Sequence, residues 1–100
     1  MKTIVIATGG FDPVHRGHIE YFQEAATYGE LIIGLNSDEW LINKKGKYFM
    51  DWEERKIIIE EFRSVSRVIG FEDDEIGSAC GAIRKLVDEY PDAKIYFTNG

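Results

Sequence analysis

Cysteine occurs once, at Cys80. A single thiol excludes an internal disulfide and a cysteine-built zinc site, and it makes the cytoplasm the default compartment. Long apolar runs are missing too. None approaches the roughly 20 residues needed to cross a bilayer, and the opening MKTIVIATGG is too short in its apolar stretch for a signal peptide. No membrane partner is expected. Positive charge is in deficit, with 12 Lys and Arg against 18 Asp and Glu, so a nucleic-acid partner is not expected either. The ordinary phosphate loops, G-x-x-x-x-G-K-[ST] and G-x-G-x-x-G, do not occur. There is no internal repeat, linker or low-complexity segment. What remains is an ordinary globular composition over 100 residues, enough for one compact domain with a modest core.

The apolar pattern predicts alternating strands and helices. KTIVIA (2–7) and ELIIGL (30–35) are continuous β-branched or apolar runs, the mark of parallel strands covered on both faces. Residues 17–28 read as a helix with Ile19, Phe22 and Ala26 inward and Gly29 as C-cap. Asn36, Ser37 and Asp38 offer N-caps for a short helical turn through Trp40 and Leu41, and NKKGK then reads as a loop. Asp51 and Glu54 form a capping-box pattern opening a helix to about Arg63, with Ile58 and Phe62 inward. RVIGF (67–71) is a third strand. Ile76, Ala79, Cys80, Ile83, Val87 and Tyr90 form a helical stripe that Pro91 ends, and AKIYFT (93–98) is the fourth strand. This β-α-β-α-β-α-β order gives an α/β fold, a Rossmann-like, open, mainly parallel sheet with helices on both faces.

Ligands of such sheets sit outside the carboxyl ends of the strands. The stretch there is TGGFDPVHRGH (8–18). Gly9 and Gly10 allow close approach to the main chain, Pro13 stiffens the entry to the helix, and Gly17 removes a side chain between His15 and His18. The helix that starts there carries unsatisfied N–H groups and a partial positive charge, a natural phosphate site. Two imidazoles at i and i+3 share one side of its first turn and can each donate to a phosphate oxygen. The alternatives are a surface turn without ligand, or an H-x-x-H metal pair, for which no third ligand is evident nearby.

Other residues carry two readings each. Lys44, Lys45 and Lys47 are a solvated loop or a phosphate contact in an otherwise acidic chain. Arg55 supplies charge for a phosphate or pairs with Asp51 or Glu54. Asp38 reads as a helix cap more than a ligand contact. Glu72, Asp73, Asp74 and Glu75 suit a helix N-terminus better than a cation site. Trp40 and Trp52 stack on a base or pack in the core, and Cys80 sits on a buried stripe, inert. Gly34 marks close ligand approach or tight helix packing.

GGFDPVHRGH resembles the H-x-G-H signature of the cytidylyltransferase-like nucleotidyltransferases. LNSDEW, the NKKGK lysines and WEERK follow in the order seen in the glycerol-3-phosphate cytidylyltransferase and heptose-phosphate adenylyltransferase branches. The resemblance spans nearly all of residues 1–100, as a single nucleotidyltransferase domain. It implies transfer of CMP, or alternatively AMP, from CTP or ATP to a phosphorylated small alcohol or sugar such as glycerol-3-phosphate, with release of pyrophosphate. It implies catalytic His15, His18 and Lys44, and nucleotide contacts from Gly10, Phe11, His15, Gly17 and His18. Asp12, Lys44, Lys47 and Arg55 would meet the acceptor, Mg2+ would accompany the triphosphate, and a homodimer is the analogous assembly. Family members continue past the fourth strand with a basic, Ser/Thr-rich segment that helps bind the triphosphate, where this sequence stops at TNG. A nucleotide-binding module or subunit without turnover is therefore the second reading.

Overall fold

A computed structural model describes residues 2–71 and 80–99. Its elements are β1 (Thr3–Gly9), α1 (Arg16–Ala25), β2 (Glu30–Leu35), α2 (Asp38–Lys45), α3 (Trp52–Glu60), β3 (Arg67–Gly70), α4 (Cys80–Glu89) and β4 (Lys94–Asn99). Glu72, Asp73, Asp74, Glu75, Ile76 and Ala79, and the Cys80 side chain, lie outside the described residues.

All four strands are parallel, in the order β3-β2-β1-β4. Val5 of β1 stands between Leu31 of β2 and Tyr96 of β4, and Ile33 of β2 faces Val68 of β3. Successive side chains point to opposite faces of a strand, which splits the core into two layers. Val5, Ala7, Leu31, Ile33, Leu35 and Val68 pack with Phe22 and Ala25 of α1 and Ile59 of α3. Ile4, Ile6, Ile32 and Ile69 pack with Ala82 and Leu86 of α4 on the other face. Right-handed crossovers explain the split: from β1 outward to β3 they lay helices on one face, and the return to β4 lays α4 on the other. The order reverses at β1, so the crevice outside its carboxyl end lies at the switch point.

The helix stripes differ from the sequence reading by about one position. In α1, Phe22 and Ala25 are buried and Ile19 is exposed. In α3 the inward residues are Arg55 and Ile59, not Ile58. In α4 they are Ala82 and Leu86, with Val87 exposed. Each helix has apolar residues on adjoining columns, and the crossover geometry decides which column turns inward. Gly29 is not the C-cap of α1, which is Ala26; Gly29 is bare because a Cβ there would lie 2.7 Å from the Thr3 carbonyl oxygen.

The largest revision concerns NKKGK. α2 continues through Lys44 and Lys45, with Ser37 as N-cap, and ends at Gly46, whose φ of 85° is left-handed. Cations in the last turn and a left-handed glycine beyond it are what a helix C-terminus favours. Asp38 is therefore a first-turn residue and not the cap.

Candidate active site at the end of the first strand

The N-terminus of α1 is capped by the two histidines themselves. His15 is the N-cap, and its Nδ1 accepts the Gly17 N–H at 3.1 Å. His18 Nδ1 reaches back to accept the His15 N–H at 3.1 Å. The rings stack, with centroids 4.0 Å apart and planes 26° from parallel. An Nδ1 that accepts carries no proton, so each neutral ring holds its proton on Nε2. The outcome is a pair of stacked imidazoles at a helix N-terminus whose Nε2–H groups take no part in the caps. Gly17 makes this possible: a Cβ there would lie 2.9 Å from His15 Cε1. Burial, and then the electrostatic influence of the neighbouring His15, hold the His18 imidazole below its ordinary value, which favours the neutral form that its cap requires.

Phe11 supports this pair from behind. It has φ of 51°, unusual for a residue with a Cβ, at a cost of about 1–2 kcal/mol. Its ring is buried edge-on against His18 and Phe22, 5.0 and 5.2 Å between centroids, which offsets that strain. At Gly10 a Cβ would lie 2.7 Å from Leu41 Cδ2 of α2, so packing gives a reason for a bare residue there.

Asp12 is tied to the loop between α2 and α3. Its carboxylate accepts the Phe49 and Met50 N–H groups, each at 2.7 Å, and pairs with Lys45 Nζ at 3.0 Å. Lys45 also donates to the Asp12 carbonyl at 2.7 Å. Burial alone would raise the Asp12 carboxyl; the donors from Phe49, Lys45 and Met50 outweigh it and hold the group below its usual value. Among the described residues, then, the lysine that reaches the histidine turn is Lys45. Lys44 Nζ lies over the Trp40 ring at 4.6 Å and Lys47 Nζ over Phe49 at 5.4 Å. Lys45 belongs to the same sequence cluster, but only the helical register of α2 singles it out.

Arg55 lies elsewhere than at an open phosphate contact. It is 0% exposed. Its Nε donates to the Met50 carbonyl at 3.0 Å, Nη1 to the carbonyls of Gly10 and Asn36 at 2.8 Å each, and Nη2 to Asp38 Oδ1 at 2.7 Å. Its ion-pair partner is Asp38, not Asp51 or Glu54. Asp51 instead caps α3 through the Glu54 N–H. The guanidinium staples the segments leaving β1 and β2 to the start of α3. Trp52 is likewise structural, donating to the Leu35 carbonyl at 3.3 Å. At Gly34 a Cβ would meet Thr8 Cγ2 at 2.9 Å and Ala82 at 3.4 Å, so tight packing explains that glycine. No group of three His, Cys, Asp or Glu among the described residues could hold a metal ion, and no described helix is long and apolar enough to cross a membrane.

The fold and this turn define an open, doubly wound α/β protein with a histidine-capped helix at its switch point. The chain belongs to the cytidylyltransferase-like family, whose model matches residues 6–97. It is 38% identical over 76 residues to the bifunctional protein HldE of Aliarcobacter butzleri, covering 73% of this chain and 16% of that protein. It is 38% identical over 66 residues to the glycerol-3-phosphate cytidylyltransferase of Bacillus subtilis, covering 65% of this chain and 51% of the relative. The chain thus spans about half of the one relative and a sixth of the other. In fold it is similar to the crystal structure of a lipopolysaccharide core biosynthesis protein from Thermoplasma volcanium, with a TM-score of 0.73, 21% identity, and 99% of this chain and 96% of that chain covered.

Proposed function

We propose that the chain transfers a nucleotidyl group, CMP in the first instance and AMP in the second, from a nucleoside triphosphate to a phosphorylated small alcohol or sugar. An oxygen of the acceptor phosphate attacks the α-phosphorus, the bond to the bridging oxygen breaks, and pyrophosphate leaves. The nucleophile is already an anion, so neither a strong base nor a covalent intermediate is needed, and catalysis is positioning and charge stabilisation. The observation that carries this reading is the reciprocal capping of His15 and His18, which turns two Nε2–H groups into fixed donors beside a helix N-terminus. They would meet oxygens of the triphosphate as charge builds on the α-phosphate and the leaving group. Lys45, Lys44 and Lys47 would add positive charge around the turn, and Arg55 and Asp12 would hold its shape. Magnesium fits as an ion carried on the triphosphate oxygens, since it is commonly bound through substrate phosphates with few protein ligands.

The test is pyrophosphate release with CTP and with ATP against glycerol-3-phosphate and a panel of sugar phosphates. Release that depends on an acceptor supports transfer. Nucleotide binding without release would replace it with a binding module. Replacing His15 or His18 by Ala should slow turnover roughly 10²–10³-fold, the scale of one transition-state donor.

A further inference from the structure

Lys45 stands in the last turn of α2, just ahead of the left-handed stop at Gly46. Its ammonium holds two oxygens of a single residue, the Asp12 carbonyl at 2.7 Å and Asp12 Oδ2 at 3.0 Å. The Phe49 ring lies against the same ammonium, 4.8 Å from Nζ to the centroid. The Asp12 side chain has no solvent exposure, and its carboxylate also accepts the Phe49 and Met50 amides. Asp12 lies shortly before His15, the N-cap of α1. One cation therefore ties the end of α2, by main chain and side chain together, to the segment that leads into the histidine turn. To meet a substrate phosphate, Lys45 would have to leave both oxygens and strip a covered carboxylate of its counter-charge, a costly step away from water.

Resting on the transfer reading above, we infer that Lys45 is a positioning residue, which sets the histidine turn through Asp12 and keeps its ammonium there instead of giving it to a substrate phosphate. Its bonds end on Asp12, so its effect reaches His15 along the chain through Pro13 and Val14. Both imidazoles are ordered by main-chain amides, those of Gly17 and His15. A shift of the main chain ahead of α1 therefore moves the two rings together. A displacement of about 1 Å in such a group costs on the order of 10²-fold in rate. Ground-state binding suffers far less, because donors of this kind act as charge builds in the transition state.

The decisive variants are Lys45→Met, which keeps the length of the side chain and loses its donors, and Lys45→Arg, which keeps donors for both oxygens. Lys45→Gln gives the same comparison if Lys45→Met does not fold. Pyrophosphate release is followed over a range of triphosphate and acceptor concentrations. Lys45→Met should lower the turnover number on the order of 10²-fold and leave the KM of each substrate within about twofold. Lys45→Arg should recover most of the turnover. Combined with Asp12→Asn, Lys45→Met should add little to the loss that Asp12→Asn causes alone, because both act through one contact. A KM for triphosphate or acceptor that rises about tenfold at constant turnover overturns the inference, since the ammonium would then be meeting substrate. So do losses that multiply in the double variant. If no pair of substrates releases pyrophosphate, the transfer reading fails, and the strap is still decided by amide proton exchange in the ligand-free protein. Faster exchange at His15 and Gly17 in Lys45→Met, with Ile32 and Ile33 of β2 unchanged, supports it; unchanged exchange at His15 and Gly17 ends it.

Discussion

Replacing Arg55 by Met asks whether this residue is a staple or a ligand. The side chain is fully buried and donates to three main-chain carbonyls and one carboxylate. Methionine fills much of the volume and makes none of these bonds. Removing one partner of a buried pair costs about 3–5 kcal/mol. The Asp38 side chain is 33% exposed and can rehydrate, so most of the loss falls on the carbonyls, at about 1–3 kcal/mol for each acceptor left dry. A total near 3–5 kcal/mol is a large part of the roughly 5–15 kcal/mol that holds a domain together. Arg55→Lys keeps the charge without the planar fork and should lose about half as much. Urea unfolding followed by circular dichroism reads both, as a lower midpoint at constant slope. The staple is refuted if Arg55→Met costs under about 1 kcal/mol while the KM for a phosphorylated acceptor climbs, because the guanidinium would then be serving substrate.

The pH dependence follows from the caps. A ring protonated on Nδ1 cannot accept an N–H, and the folded His18 value lies below 6.5; the unfolded chain therefore binds the proton first, so the cap's contribution is complete above about pH 6.5 and fades as pH falls through the folded value. Thermal melts between pH 8 and 5 should show this loss, and His18→Ala should flatten it. Gly17→Ala should leave stability within about 1 kcal/mol, since alanine is the better helix former, yet cut turnover on the order of 10²-fold by pushing the His15 ring aside; unchanged turnover would show that the ring does not move. Gly46→Ala should destabilise by about 1 kcal/mol in urea, the cost of a side chain at a left-handed position.

The strands were readable because parallel, doubly covered strands are continuous apolar runs, and ELIIGL matches β2 residue for residue. The histidine turn was readable for a similar reason: glycines, proline and paired imidazoles are rare together at a strand's end. Three things were not. Ile57, Ile58 and Ile59 are chemically alike, so no periodicity can say that Ile59 faces the core. The extent of α2 depended on Gly46 acting as a left-handed stop, which a charged run disguises as a loop. And Arg55 looks like any surface cation until the carbonyls of Gly10, Asn36 and Met50 converge on it from segments up to 45 residues away.

The bonds from Asp12 to the amides of Phe49 and Met50 set a rule for anyone redesigning this protein. Identity along 47–49 is free to vary, since the carboxylate grips main chain and ignores what is attached to it. Register is not free: an inserted or deleted position would shift the gripped amides, and proline at 49 or 50 would abolish a donor outright. A library that diversifies these side chains at fixed length therefore leaves the grip on Asp12, and the turn it anchors, in place.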